Sequence, residues 1–431
     1  GGFLAKLSVS ALLFDYILTG PISGVSAGQY IVGLGLEAAA RYGGVSIDEG
    51  TRQAIKSWGS VLIACAITLY FYRQNLIGIH ESSGKALKIM IATAVMGGIV
   101  LTWCGVTLAT KGPVNSLPTP IPDLHKKVEL DDSGQLAPKI SPLTGEQEDP
   151  LGFLGWFPAA AEPLRDPSSW LSLLGLAGLI VAFGHSILAM SGLETLAQIY
   201  REVESPKLPN FKKSALVVFV FSLLLTGSIS FLAVLLIPDD VRMTEYSDNF
   251  IGGLAMQMVG PLWARLLLNA FVVVIGFLIL SGAVNTAIIG SNGVLNRVAE
   301  DGVLPDWFLR PHRLYGTTYR NLNLITALQL FTIVASRGDV LLLGEAYAFG
   351  VVWSFVFKTL SMVVLRFRDR TPREFKVPLN VRFGNVEFPV GLSLIFLLML
   401  VSAVANVLTK QVATVSGVIF TTAFLTLFMA T

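Results

Sequence analysis

Small residues and one carboxylate interrupt the apolar stretch Trp170–Lys207. Gly184, His185 and Ser186 break it near its middle, Ser191 and Gly192 break it again, and Glu194 follows before a stop at Pro206. A helix interrupted inside a bilayer leaves backbone N–H and C=O groups that lipid cannot satisfy. It is tolerated where those groups line a cavity or meet a ligand. Half-helix N-termini attract anionic groups and freed carbonyls hold cations, which is how discontinuous helices build sites at mid-membrane. The competing reading is a small-residue packing face with a polar end at the interface. Glu194 fits either a proton or cation relay or a structural hydrogen bond to the freed backbone. His185 reads as a packing histidine or a pH-sensing group.

Other polar residues lie in apolar runs. Asp15, beside Tyr16, falls mid-span and must pair or face water, through a helix-to-helix hydrogen bond or a substrate contact. Asn285 and Thr286 carry oxygens suited to a hard cation, and equally to interhelical hydrogen bonds. Lys358 either snorkels along its span or sets a fixed positive charge in place of a coupling cation. Phe349 and Trp353, one turn apart, are candidates to line a pocket opposite the break, or to pack the core.

The elements that position these residues are membrane spans. Of 431 residues, 53% are hydrophobic and 14% charged, against about 25% charged in soluble domains, so the chain reads as an all-α polytopic membrane protein. About ten spans are expected: Leu4–Leu36, Trp58–Gln74, Ala86–Ala109, Ser169–Ile199, Phe211–Ile237, Leu262–Val298, Asn321–Ser336, Leu341–Arg366, Phe388–Leu408 and Val412–Ala430. Gly20-Pro21 and Gly24 predict a kink in the first. The loops near 73–88, 200–213, 297–320 and 366–382 hold about 17 Lys and Arg, against about 7 in the short loops of the other set, which makes the first set cytoplasmic. Residues 110–166 then form a long external loop, proline-rich and without helical periodicity, expected to be a linker or lid with too little apolar content for a folded domain. The lone cysteines Cys65 and Cys104 indicate neither a disulfide framework nor a metal cluster. Net charge near zero argues against a nucleic-acid partner. No nucleophile elbow, phosphate loop or zinc motif is present, and four scattered histidines do not cluster. Enzyme chemistry and cofactors are therefore not expected.

Three segments carry a resemblance. MSGLETLAQIYREVESPK, residues 190–207, resembles the sixth span and following loop of amino acid permeases of the amino acid–polyamine–organocation superfamily. There, an aromatic-Ser-Gly-aromatic-Glu motif leads into Glu-Val-x-x-Pro-Lys. LSGAVNTAIIGSNGVLNRVAEDGVLPDWF, residues 280–308, is similar to the eighth span and the cytoplasmic helix after it. ALLFDYILTGPISGVSAG, residues 11–28, is similar to the third span. The resemblance covers nearly the whole chain and implies a LeuT-type inverted-repeat transporter fold, with spans three to twelve present and the first two lacking. The chain is thus expected to be one transmembrane transporter domain, incomplete at its N-terminus.

In that family the turn matched by Ser186, Ile187, Ala189, Met190, Ser191 and Gly192 contacts substrate. Met190 and Leu193 stand where aromatics are common, and Glu194 takes the acidic position after the turn. The resemblance implies multi-pass insertion in the plasma membrane and transport of an amino acid or related amine by alternating access, coupled to H+ or Na+. Two other readings stay open: a potassium or inorganic-cation symporter of the same superfamily, and a non-transporting sensor or subunit on a transporter fold.

Overall fold

The computed structural model describes the chain except residues 1, 43–47, 79–82, 118–122, 131–135, 142–144, 167–175, 187–195, 197–199, 201–202, 303, 370, 384–385 and 431. Among the described residues, seven helices are long and apolar enough to cross a membrane. Each satisfies its backbone polar groups internally, which hydrocarbon demands. The helical segment Tyr319–Ala335 has 17 residues. At 1.5 Å per residue it spans about 25 Å, short of a roughly 30 Å hydrocarbon layer, so it is shorter than the other spans. The expected span Ser169–Ile199 falls largely outside the described residues, of which Leu176–Ser186 is helical. The chain divides into two compact units, residues 16–118 with 209–343, and residues 1–15, 119–208 and 344–431.

The first unit holds most of α1 (Gly2–Tyr42), with α2 (Glu49–Ile77) and α3 (Ser83–Lys111). α1 remains one continuous helix through Pro21 at the expected kink. Asp48 caps α2 by accepting the Thr51 amide at 2.9 Å, and that bond with the Thr51 hydroxyl lowers the Asp48 carboxyl pKa. α1 and α2 meet where both carry small residues. A Cβ at Gly28 would lie 2.6 Å from the Ser60 Cα and 2.7 Å from its carbonyl oxygen, so the backbones touch.

Beyond α3, the apolar run Lys207–Leu236 is built in three pieces: α6 (Lys207–Ser222), a π-helical turn over Leu223–Gly227, and α7 (Ser228–Leu236). α6 has no buried residue, whereas α7 buries Ile229, Ala233, Leu235 and Leu236. Two short helices, α8 (Asp239–Thr244) and α9 (Phe250–Gln257), lead into α10 (Leu262–Glu300) and α11 (Tyr319–Ala335). One core joins Val100 and Cys104 of α3, Ala233 of α7, Leu254 of α9 and Val272 of α10. A second joins Ala27, Ile67, Val284 and Leu322.

In the second unit, the described part of residues 119–166 is not a bare linker. Strands β1 (Val128–Leu130) and β2 (Leu136–Pro138) pair antiparallel, and α4 (Pro158–Arg165) follows. Leu124, Leu151 and Ala161 bury one another, and Arg165 pairs with Asp149 while its Nε donates to the Leu124 carbonyl at 3.0 Å. The contacts connect residues some forty positions apart, which no local periodicity reveals. α5 (Leu176–Ser186) lies against α13 (Val390–Thr409). Most of α12 (Val340–Arg368) and all of α14 (Gln411–Ala430) belong to this unit.

Strands β3 (Asn380–Phe383) and β4 (Val386–Pro389) form a hairpin outside the spans. Glu387 receives Lys376 at 2.7 Å and lies 3.4 Å from Arg366. The Lys376 hydrogen bond, reinforced by the Lys376, Arg366 and Arg382 charges, lowers the Glu387 carboxyl pKa. A depressed folded pKa gives stabilisation that is present above the unfolded value and lost as pH falls through the folded one. Protection of the described amides in residues 380–389, measured relative to unstructured-chain exchange at each pH, is therefore expected to fall on acidification below about pH 4.5. Glu387→Gln should flatten that pH dependence, and an unchanged profile in the variant would remove the ion pairs as its cause.

Candidate functional site

Asp15 is completely buried in α1. A carboxylate is costly at such a position, so its surroundings decide what it can do. α12 crosses it at Gly350: a Cβ there would lie 2.9 Å from the Asp15 nitrogen and 3.1 Å from its Cα. Only glycine admits so close a crossing.

Around this crossing runs an aromatic ladder. Phe14 meets Phe349 edge-on at 6.3 Å between ring centroids and lies 4.3 Å from Phe420 of α14. Phe349 continues to Trp353 at 6.3 Å, and Trp353 to Phe357 at 5.7 Å. The one-turn spacing of Phe349, Trp353 and Phe357 puts them on one stripe of α12. Farther along α12, the Lys358 ammonium is buried, 5.6 Å from the Phe355 ring centroid, a cation–π distance. Asp15, Phe349, Trp353 and Lys358 thus belong to one unit, with Asp15 and Phe349 at the same crossing.

α5 is held by α13 through polar contacts. Asn406 donates to the Gly184 carbonyl at 2.8 Å, and His185 Nε2 lies 2.9 Å from Thr409 Oγ1. The histidine is thus engaged in packing. Ser186 is exposed and turns its hydroxyl back to the Phe183 carbonyl at 2.8 Å. Ile187, Ala189, Met190, Ser191, Gly192 and Glu194 lie outside the described residues.

Asn285 and Thr286 sit in the other unit. Asn285 accepts from Asn75 Nδ2 at 2.7 Å, linking α2 with α10, while the exposed Thr286 donates to the Gly282 carbonyl at 3.1 Å within its own helix. Both therefore have ordinary structural partners. The residues that sequence reasoning passed over are Phe14, Gly350, Asn406 and Phe420. Asn406 left a signal, a lone amide in the apolar Val390–Thr409 run. Gly350 left none, because a helical glycine discloses its neighbour only through the packing.

Among the described residues, no group of three or more His, Cys, Asp or Glu could hold a metal ion. A model of the family described as amino acid permease matches residues 1–429. No curated protein matches the chain.

Proposed function

The chain belongs to the amino acid permease family, and on that premise we propose that it carries an amino acid or related organic amine across the plasma membrane by ion-coupled alternating access. The family is one of transporters rather than enzymes, and the chain is a multi-pass integral membrane protein. H+ or Na+ is the coupling ion in this reading. The observation that carries it is the buried Asp15 at the α1–α12 crossing, flanked by Phe14 and Phe349.

Asp15 and Glu194 serve as the ionisable relay, and Phe349 with Trp353 forms an apolar wall for the substrate side chain. The backbone of residues 186–192 takes the polar groups of the substrate. Lys358 supplies a fixed positive charge.

The test is uptake of labelled amino acids and amines into proteoliposomes under an imposed proton or sodium gradient. Asp15→Asn preserves shape and removes the charge, and is expected to cut driven uptake at least about tenfold, or ~1.4 kcal/mol in the barrier. Unchanged uptake in that variant would remove Asp15 from the relay. Uptake driven by potassium alone would favour an inorganic-cation symporter. Absence of uptake under every gradient would favour a non-transporting role.

A further inference from the structure

Within the unit that holds residues 119–208 and 344–431, the folded segment before α5 separates its charges from its rings. Lys127 and Lys139 each lie 3.4 Å from the Glu148 carboxylate beside the β1–β2 hairpin. Residues 150–161, by contrast, carry no charge. They form a 3-10 turn over Gly152–Trp156 and then open α4. Leu151 and Ala161 turn inward onto Leu124. Trp156 and Phe157 are left 60% and 64% exposed, and Pro158, Ala159 and Ala160 beside them are exposed too. Phe153 supports this face edge-on, 5.0 Å from the Trp156 ring centroid. A contiguous apolar patch with two large rings marks a surface that meets something other than water.

The packing of the same turn identifies what it meets. Gly152, at a left-handed φ of 52°, rests on the last residue of α13, where an added Cβ would lie 2.8 Å from the Thr409 Cα. α13 is long and apolar enough to cross a membrane, and the apolar helix α14 starts two residues after it, at Gln411. The chain leaves hydrocarbon and returns to it at this turn, so Thr409 marks a membrane boundary. Trp156 lies four residues from Gly152, roughly 8 Å along a 3-10 turn. The headgroup layer on each side of the hydrocarbon is about 5–8 Å deep.

We propose that Trp156 and Phe157, with the start of α4, insert into the lipid headgroup layer at the end of α13 and tether the 119–166 segment to the bilayer. Rings with an apolar body, one of them with a polar N–H, match that layer, where aromatic residues of membrane proteins concentrate. The face has no Lys or Arg between residues 150 and 161. The attachment is therefore to the apolar–polar boundary of the lipid, independent of anionic headgroups and of salt.

The test is a nitroxide attached at Phe157→Cys, in a Cys65→Ala and Cys104→Ala background, with the protein in phosphatidylcholine nanodiscs. Oxygen concentrates in lipid and a nickel chelate in water, so their relative effects on the label report its surroundings. Oxygen is expected to dominate at residue 157, and the nickel chelate at the exposed Glu146→Cys. Trp156→Cys supplies a second position if Phe157→Cys fails to fold. Added phosphatidylserine or salt should change neither result. Trp156→Ser combined with Phe157→Ser is expected to speed proteolysis between residues 123 and 166 in nanodiscs. The proposal is overturned if the nickel chelate dominates at both ring positions, or if oxygen dominates only with phosphatidylserine. It is overturned equally if neither reagent reaches the label, which would show cover by protein such as a second copy, or if the double variant is cleaved at the parental rate.

Discussion

Gly28→Leu is expected to prevent α1 and α2 from packing, leaving little folded protein. At this point the helices meet through backbone atoms: the position of a Cβ at residue 28 lies within 2.6–2.7 Å of the Ser60 Cα and carbonyl. No rotamer change relieves that overlap, and the helices must separate. Overpacking a close contact typically costs 1–3 kcal/mol, and a leucine forced against backbone sits at or above ~3 kcal/mol. Even Gly28→Ala should lower the melting temperature in detergent. Gly35→Ala on the same helix provides the control, since nothing lies within 4 Å of its Cβ position. There, alanine's better helix propensity should be neutral or stabilising by up to ~1 kcal/mol. Equal melting temperatures for Gly28→Ala and Gly35→Ala would refute the contact.

The second large effect belongs to the 110–166 segment. Arg165 donates to Asp149 at 2.7 Å and to the Leu124 carbonyl at 3.0 Å, while Asp149 also accepts the Leu151 amide at 2.9 Å. The two side chains are only 19% and 12% exposed. Removing one member of a shielded pair strands the other charge, at a cost of about 3–5 kcal/mol for a buried pair and toward the lower end here. Arg165→Met should therefore loosen the segment, seen as faster proteolysis between residues 123 and 166 with the membrane spans intact. Replacing Asp149 as well, by leucine, should recover part of the loss, because no charge is then left unpaired. If Arg165→Met alone leaves proteolysis unchanged, the pair does not hold this segment.

What could be read in the sequence follows from how far apart the determinants lie. The long apolar runs announced the spans, because a helix crossing lipid needs about twenty such residues in succession. The start of α2 at Glu49, capped by Asp48, was missed by the expected span Trp58–Gln74, because the polar first turns of the helix lie outside the apolar run. The unusual placement of Asp15 was visible, as a carboxylate in a run that does not welcome one, and it is buried. Its crossing with Gly350 was not, nor was the approach of Gly28 to Ser60, since each depends on the relative rotation of two helices. The same limit hid the order in residues 110–166, where Leu124, Leu151 and Ala161 meet only after the chain turns back. For Asn285 and Thr286 the sequence left a hard cation and interhelical hydrogen bonds equally open; Asn285 accepts such a bond from Asn75, and Thr286 donates within its own helix.

The π-helical turn at Leu223–Gly227 holds one residue more than an α-helical turn would, inside an otherwise α-helical span. Each residue advances an α-helix by about 100°, so a single insertion would normally rotate everything beyond it away from its partners. The wide turn absorbs that phase. α6 before it has no fully buried residue, while Ile229, Ala233 and Leu236 after it are buried in the core. The span can thus tolerate a change in length at this one place, and a related chain one residue shorter here would be expected to keep the same buried stripe on an unbroken α-helix.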